Sequence, residues 1–277
     1  MAATSEISER FVEIAGLRIF VRQRSGEGPP AVFAHGNPNH SGFWSPFLER
    51  CEGPVIAFDL PGFGRSSRPG RADFDHTMTA HANVVEVLLD ELAPASYRLV
   101  AHDWGTVALV AAQRDPDRLE RLVVIDGVPL SGAYRWHWIA RIWRRRALGE
   151  AFNALNSKAA TAQLLRLARP GRRRMPAEFV DAVWETWDGG MSQAILGLYR
   201  SADPAALEDA GSRLAELRCP ALVVWGRDDP YLGVAEGRRY ARVLPNAELL
   251  ELDDAGHWPW IDRPELIGRV ADFLRGS

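Results

Sequence analysis

Asp103 sits in Ala101-His102-Asp103-Trp104-Gly105, with a small residue two positions away on either side. An apolar run ends at Ala101, and an alanine-rich helical stretch, Val107 to Ala112, begins just past Gly105. This is the layout of a nucleophile elbow, a strand-to-helix turn so tight that only small neighbours fit, leaving the central side chain exposed above a sheet. The same residues also read as an aspartate capping the N-terminus of the next helix. If Asp103 attacks, its chemistry selects the substrate. A carboxylate adding to an acyl carbon makes an anhydride, whereas displacement at saturated carbon gives a stable alkyl ester. That first step needs no base. Releasing the ester does, and His257, in the loop after the last predicted strand, would activate water for attack on the ester carbonyl. Asp229, after a late strand, would orient the imidazole and stabilise its charged form.

These groups need a rigid frame. Phe11 to Ile14 and Leu17 to Gln23 read as strands around an Ala15-Gly16 hairpin turn. Ala31 to Ala34 and Val55 to Phe58 are apolar at every position, as strands buried on both faces are. Thr79 to Leu92 has helical periodicity. Tyr97 to Ala101 is the strand before Asp103, and Leu122 to Ile125 is another, ending at Asp126. Strand rhythm returns with Ala221 to Trp225 and Ala247 to Leu252, and Ile267 to Leu274 closes the chain as a helix. Alternating elements of these lengths predict an α/β fold with a mostly parallel, doubly wound sheet. In such sheets the site lies beyond the carboxyl ends of the strands, where His35-Gly36-Asn37, Asp103 and Asp126 all fall. Between the strands at 122–125 and 221–225, the Trp-, Arg- and Ala-rich stretch 130–205 predicts a helical cap domain inserted into a core domain of residues 1–129 and 206–277.

Composition narrows the partners. A net charge of −3 over 277 residues gives no basis for a polyanionic partner, so no nucleic acid is expected. The clusters Arg144-Arg145-Arg146 and Arg172-Arg173-Arg174 read as solvated helix faces. Cys51 and Cys219 fit neither a disulfide framework nor a metal spacing, and the seven histidines form no ligand cluster. No phosphate-binding glycine loop follows the first strand, so neither a metal nor a cofactor is expected. The polar start, Met1 to Arg10, lacks an apolar signal core, and no run approaches the length of a bilayer. The expectation is a cytoplasmic monomer or homodimer with no membrane partner.

With His35-Gly36-Asn37-Pro38 ahead of them, Asp103, Asp229 and His257 in this order resemble the α/β-hydrolase superfamily over essentially the whole chain. The aspartate at the elbow is similar to the aspartate-nucleophile branch: epoxide hydrolases, haloalkane dehalogenases and haloacetate dehalogenases. The resemblance implies the α/β-hydrolase fold with its helical cap. It implies Asp229, three residues after Gly226, as the acid rather than Asp228; some relatives carry the acid at the place held here by Asp126. The resemblance also implies that the backbone N–H groups of Asn37 and Trp104 hold the oxyanion of the second step, and the same two residues match positions whose side-chain N–H groups bind halide in many haloalkane dehalogenases. Ile195-Leu196-Gly197-Leu198-Tyr199-Arg200 resembles the cap segment where epoxide hydrolases carry a ring-opening tyrosine. Arg135-Trp136-His137-Trp138 resembles the segment holding their second proton donor, so His137 and Tyr199 would form that pair. Haloacetate dehalogenases also carry His, Trp and Tyr in the cap, which implies His137, Trp138 and Tyr199 around the substrate. Their arginines just after the nucleophile are replaced here by Trp104 and Val107, against a haloacid substrate.

The resemblance therefore implies an epoxide hydrolase converting small hydrophobic epoxides to vicinal diols. Haloalkane dehalogenation by the same triad is the alternative, and a non-catalytic receptor or accessory protein of this fold is a third reading. The leaving group separates the first two. An opened epoxide is an alkoxide and needs a positioned O–H or N–H donor, whereas a halide leaves as a stable anion. The aromatic-rich cap predicts an apolar pocket and a neutral substrate.

Overall fold

The computed structural model describes residues 6–276, so the polar start is seen only from Glu6 onward. Eight strands form one sheet: β1 (Ser8–Ile14), β2 (Leu17–Arg24), β3 (Ala31–Ala34), β4 (Val55–Phe58), β5 (Tyr97–Asp103), β6 (Leu119–Gly127), β7 (Ala221–Gly226) and β8 (Ala247–Leu252). Their spatial order is β1-β2-β4-β3-β5-β6-β7-β8. β2 pairs antiparallel with β1 and β4, and every other neighbouring pair is parallel. The expected α/β sheet is present, with strand centres where the apolar runs lie. The β1–β2 hairpin turns at Ala15 and Gly16, whose φ values of 50° and 77° are those a type I′ turn demands.

Successive side chains on the central strands feed opposite layers. Leu99, Ala101, Leu122, Val124, Val223 and Trp225 enter one core with helices α2 (Met78–Leu92) and α3 (Val107–Ala112). Val100, Val123, Ile125, Leu222 and Val224 enter the other, with α1 (Ser45–Arg50) at the opposite face. This double burial explains why β3 to β7 carry no polar alternation.

Between β6 and β7 the chain is helical: α4 (Trp138–Trp143), α5 (Leu148–Ala154), α6 (Lys158–Leu167), α7 (Ala177–Glu185), α8 (Gly189–Ser201) and α9 (Pro204–Ala210). Helix α9 straddles the boundary expected at 205. The chain then completes the sheet with α10 (Val234–Val243), α11 (Pro259–Asp262) and α12 (Glu265–Arg275). α12 belongs to the same core as α1. No helix among the described residues is long and apolar enough to cross a membrane.

Candidate active site

The elbow forms where β5 meets the short helical turn before α3. Asp103 has φ 50° and ψ −123°, outside the ordinary range of an L-residue. Such a conformation costs on the order of 1–3 kcal/mol and persists only where the surroundings enforce it. Two glycines enforce it here. A Cβ on Gly105 would lie 2.1 Å from the Ala34 carbonyl oxygen, and one on Gly36 would lie 2.3 Å from Asp103 Oδ1. β3 and the loop after it press directly against the turn, so only hydrogen fits at both places. The capping alternative for Asp103 fails: the N-cap of α3 is Thr106, and the Asp103 side chain makes no N-cap bond to the short turn between them beyond the contact with the adjacent Trp104 N–H.

The Asp103 carboxylate points instead into a buried cluster. Asn37 N–H donates to Oδ1 at 2.7 Å, and the Trp104 backbone N–H also hydrogen-bonds the carboxylate. Oδ2 faces His257 Nε2 at 3.6 Å. On its other edge, His257 Nδ1 lies 2.7 Å from Asp229 Oδ2, while Asp229 Oδ1 accepts from the N–H groups of Tyr231 and Leu232. Asp229 is therefore locked by two backbone donors with one oxygen left for the imidazole. Asp228 is exposed and turned away. Asp126, the other position considered for the acid, is fully buried, and its Oδ1 accepts from Gly226 N–H at 3.0 Å. Burial, with the Asp229 charge beside it, raises the Asp126 carboxyl well above the usual range, and its bond to Gly226 makes Asp126 a tie between β6 and β7. The imidazole's partner is Asp229.

Burial raises Asp103 to about 6, against the opposing pull of His257 and the two backbone donors. Burial also disfavours a charged His257, but Asp229 by charge and hydrogen bond, together with Asp103, outweighs it and raises the imidazole. Both shifts act on the acid side. Below about 6 the carboxylate takes up a proton and loses its nucleophilic lone pair, while a protonated imidazole cannot accept a proton from water. We expect the single-turnover rate of ester formation, which needs only the carboxylate, to fall as pH drops through about 6, and the hydrolytic step to fall where the raised imidazole takes up its proton. A profile unchanged down to the ordinary carboxylate range would contradict a buried reacting carboxylate.

Above the carboxylate is a cavity with a free volume of about 70 Å³. Asp103, Asn37 and His257 form its floor, and His137, Trp143, Phe152, Leu164, Trp187 and Tyr199 are among its walls. His137 and Tyr199 thus come together over Asp103, their rings perpendicular with centroids 6.2 Å apart. His137 is the N-cap of α4, and its Nδ1 accepts from Ala140 N–H at 3.4 Å. That assigns the ring proton to Nε2. Burial lowers its pKa to about 3, so the ring is a neutral N–H donor. The Tyr199 hydroxyl lies beside Asp103, the Trp104 indole and the Asn37 side chain, and burial raises it well above the usual tyrosine range. It keeps its proton.

Two expected residues sit differently. Trp138 is 45% exposed and does not line the cavity. It follows the N-cap, and consecutive helical residues point about 100° apart, so turning His137 inward turns Trp138 outward. Trp104 is buried behind the cavity wall, edge-on to Tyr199 and stacked on Trp136 at 5.7 Å. Its Nε1 is buried with no hydrogen-bond partner.

Sequence reasoning missed several contributors. His102 Nε2 donates to the His257 carbonyl at 2.8 Å and so fixes the loop that carries the imidazole. Its position next to Asp103 was the one available signal. Tyr231 lines the cavity with its ring 4.9 Å from His137 and 5.4 Å from His257, centroid to centroid. Among the described residues, no group of three or more His, Cys, Asp or Glu is arranged to hold a metal ion.

Known proteins are similar to this chain over most of its length. A haloalkane dehalogenase of Mycolicibacterium paratuberculosis is 28% identical, the match covering 89% of this chain and 84% of the relative. The crystal structure of haloalkane dehalogenase DbeA from Bradyrhizobium elkani superposes with a TM-score of 0.83 at 27% identity, covering 98% of both chains. The epoxide hydrolase CorEH superposes with a TM-score of 0.81 over 98% of this chain and 99% of its own, at 22% identity, a likeness of fold. The sequence profile of the alpha/beta hydrolase fold matches residues 29–264, and with that match the chain belongs to the α/β-hydrolase fold family.

Proposed function

We propose that the protein is an epoxide hydrolase acting on small, neutral, hydrophobic epoxides. The observation that carries this reading is that the donors His137 and Tyr199 line one cavity with Asp103 and His257, while the Trp104 indole lies behind Tyr199. Asp103 Oδ2 attacks a ring carbon, the C–O bond breaks, and the electron pair goes to the epoxide oxygen. That oxygen takes its proton from Tyr199, with His137 Nε2 as the second donor. The result is an alkyl ester on Asp103 and a phenolate.

Water then enters the second half of the cycle. His257 takes one proton from it, steadied by Asp229, and the oxygen adds to Cγ of the ester. Negative charge develops on Oδ1, which already faces the Asn37 N–H. Collapse breaks the Cγ–Oδ2 bond and His257 protonates the departing oxygen, giving the diol. The remaining carboxyl proton restores Tyr199. Esterification removes the Asp103 charge that helps to raise His257, so the imidazole is least charged when a base is needed.

Haloalkane dehalogenation is the second reading. It is favoured by the unpartnered Trp104 Nε1 and by the Asn37 amide beside it, both facing Tyr199. Matched substrates separate the two, for instance 1,2-epoxyhexane and 1-bromohexane. We expect diol formation from the first to exceed bromide release from the second in kcat/KM. The reverse order would transfer the assignment to the dehalogenase.

A further inference from the structure

The cavity over Asp103 has a neighbour. An outer groove of about 400 Å³ lies between α5 and α6, and it shares Phe152, Asn156 and Leu164 with the inner cavity. These three side chains are the partition between the two spaces. On the solvent side stands Leu155, 83% exposed, which lines the groove and not the inner cavity. A side-chain polar pair ties the partition across the corner, and the Tyr231 hydroxyl donates to the Leu164 carbonyl at 3.1 Å. Asn156 Nδ2 donates to Thr161 Oγ1 at 2.9 Å, and Thr161 Oγ1 lies 3.2 Å from Asn156 Oδ1. Both residues line the inner cavity, and neither belongs to the reacting set.

We propose that substrate reaches Asp103 through the α5–α6 corner, with Leu155 as the outer lip and the Asn156–Thr161 pair as the latch on the partition. The corner is built for movement in one place. Residues 155–157 join two helices without regular structure of their own, and opening requires that the latch break, that Phe152 and Leu164 part, and that the Tyr231 hydroxyl follow or release the Leu164 carbonyl. Asn156 and Thr161 can then find water, so the cost is small, while an apolar guest replaces the contacts the two side chains lose. The inference rests on the cavity being the reaction site of the proposed hydrolase. It favours elongated neutral molecules that can slide past an apolar lip over charged ones.

A test that needs no turnover uses Leu155→Cys in a Cys219→Ser background, leaving Cys51 buried. The thiol is blocked with a benzyl methanethiosulfonate and freed again with dithiothreitol. The probe is 4-nitrobenzyl alcohol, whose ring quenches the cavity tryptophans Trp143 and Trp187, followed by stopped flow. Blocking should slow association and dissociation together by roughly tenfold and leave Kd unchanged, because a mouth alters rates and not the bound state. Dithiothreitol should restore both rates. The same label on Trp138→Cys, exposed but outside the groove, should change neither. Thr161→Val, which deletes the latch at nearly constant volume, should speed association. Unchanged association after blocking Leu155→Cys, a change in Kd, equal slowing from the Trp138→Cys label, no acceleration in Thr161→Val, or no quenching by the probe would each overturn the proposal. Should the unblocked protein bind the probe with these rates yet turn over no epoxide or haloalkane, the reaction assignment fails and the route stands.

Discussion

His257→Gln is expected to stop the enzyme half-way, as a stable ester on Asp103. The first step draws only on the carboxylate and the donors over it, all of which the substitution leaves in place. The second step loses its base. Glutamine can occupy the space and keep a hydrogen bond to Asp229, but it cannot take a proton from water. General-base assistance contributes roughly 10²–10⁴-fold, so turnover should fall by at least that factor. Intact-mass spectrometry of the variant with excess epoxide should show one equivalent of substrate mass added, and peptide mapping should place it on Asp103. Steady release of diol by this variant, with no adduct at any time, would remove the covalent route. An adduct that forms with a haloalkane and with no epoxide would keep the route and change the leaving group.

The second large effect concerns the donors. Tyr199→Phe removes the hydroxyl while keeping the ring that fills the space beside Trp104, Trp136 and Trp143. Ring opening should slow by roughly 10²-fold, and by roughly 10⁴-fold when His137→Phe is added, if each donor carries an ordinary share of acid catalysis. His137→Phe also removes the cap of α4, worth about 1 kcal/mol, so thermal unfolding of each variant is the necessary control. Single-turnover measurements of ester formation isolate the step. If both variants form the ester at the parent rate, the pair lines the cavity without reacting, and the epoxide reading fails on its central observation.

Much of this arrangement was legible in the residues. Runs such as Ala31 to Ala34 and Ala221 to Trp225 are apolar at each position because both faces of the sheet are covered, and the strands lie there. Asp103 was legible because few turns need small residues at both flanks, and Gly105 against Ala34 is the steric reason. The helical segment was harder. Its helices are short and its apolar residues are divided among the sheet core, the cavity and the exterior, so periodicity cannot assign a side chain to one of the three. Trp138 and Tyr231 are the cost of that ambiguity: one was expected inside and lies outside, the other lines the site unannounced. Asp126 illustrates a different limit. Its burial behind Asp229 depends on β6 and β7 being neighbours, which no local pattern near residue 126 reveals.

The two oxygens of Asp103 are held unequally, one against the Asn37 N–H and the other toward His257. In the proposed cycle this gives them separate histories. The outer atom leaves with every product molecule and is replaced from solvent. The inner one is a permanent resident, renewed only if the carboxyl group rotates end over end between cycles. Each diol therefore carries away an atom that the previous cycle installed, and the protein is consumed and rebuilt at a single position each time it works.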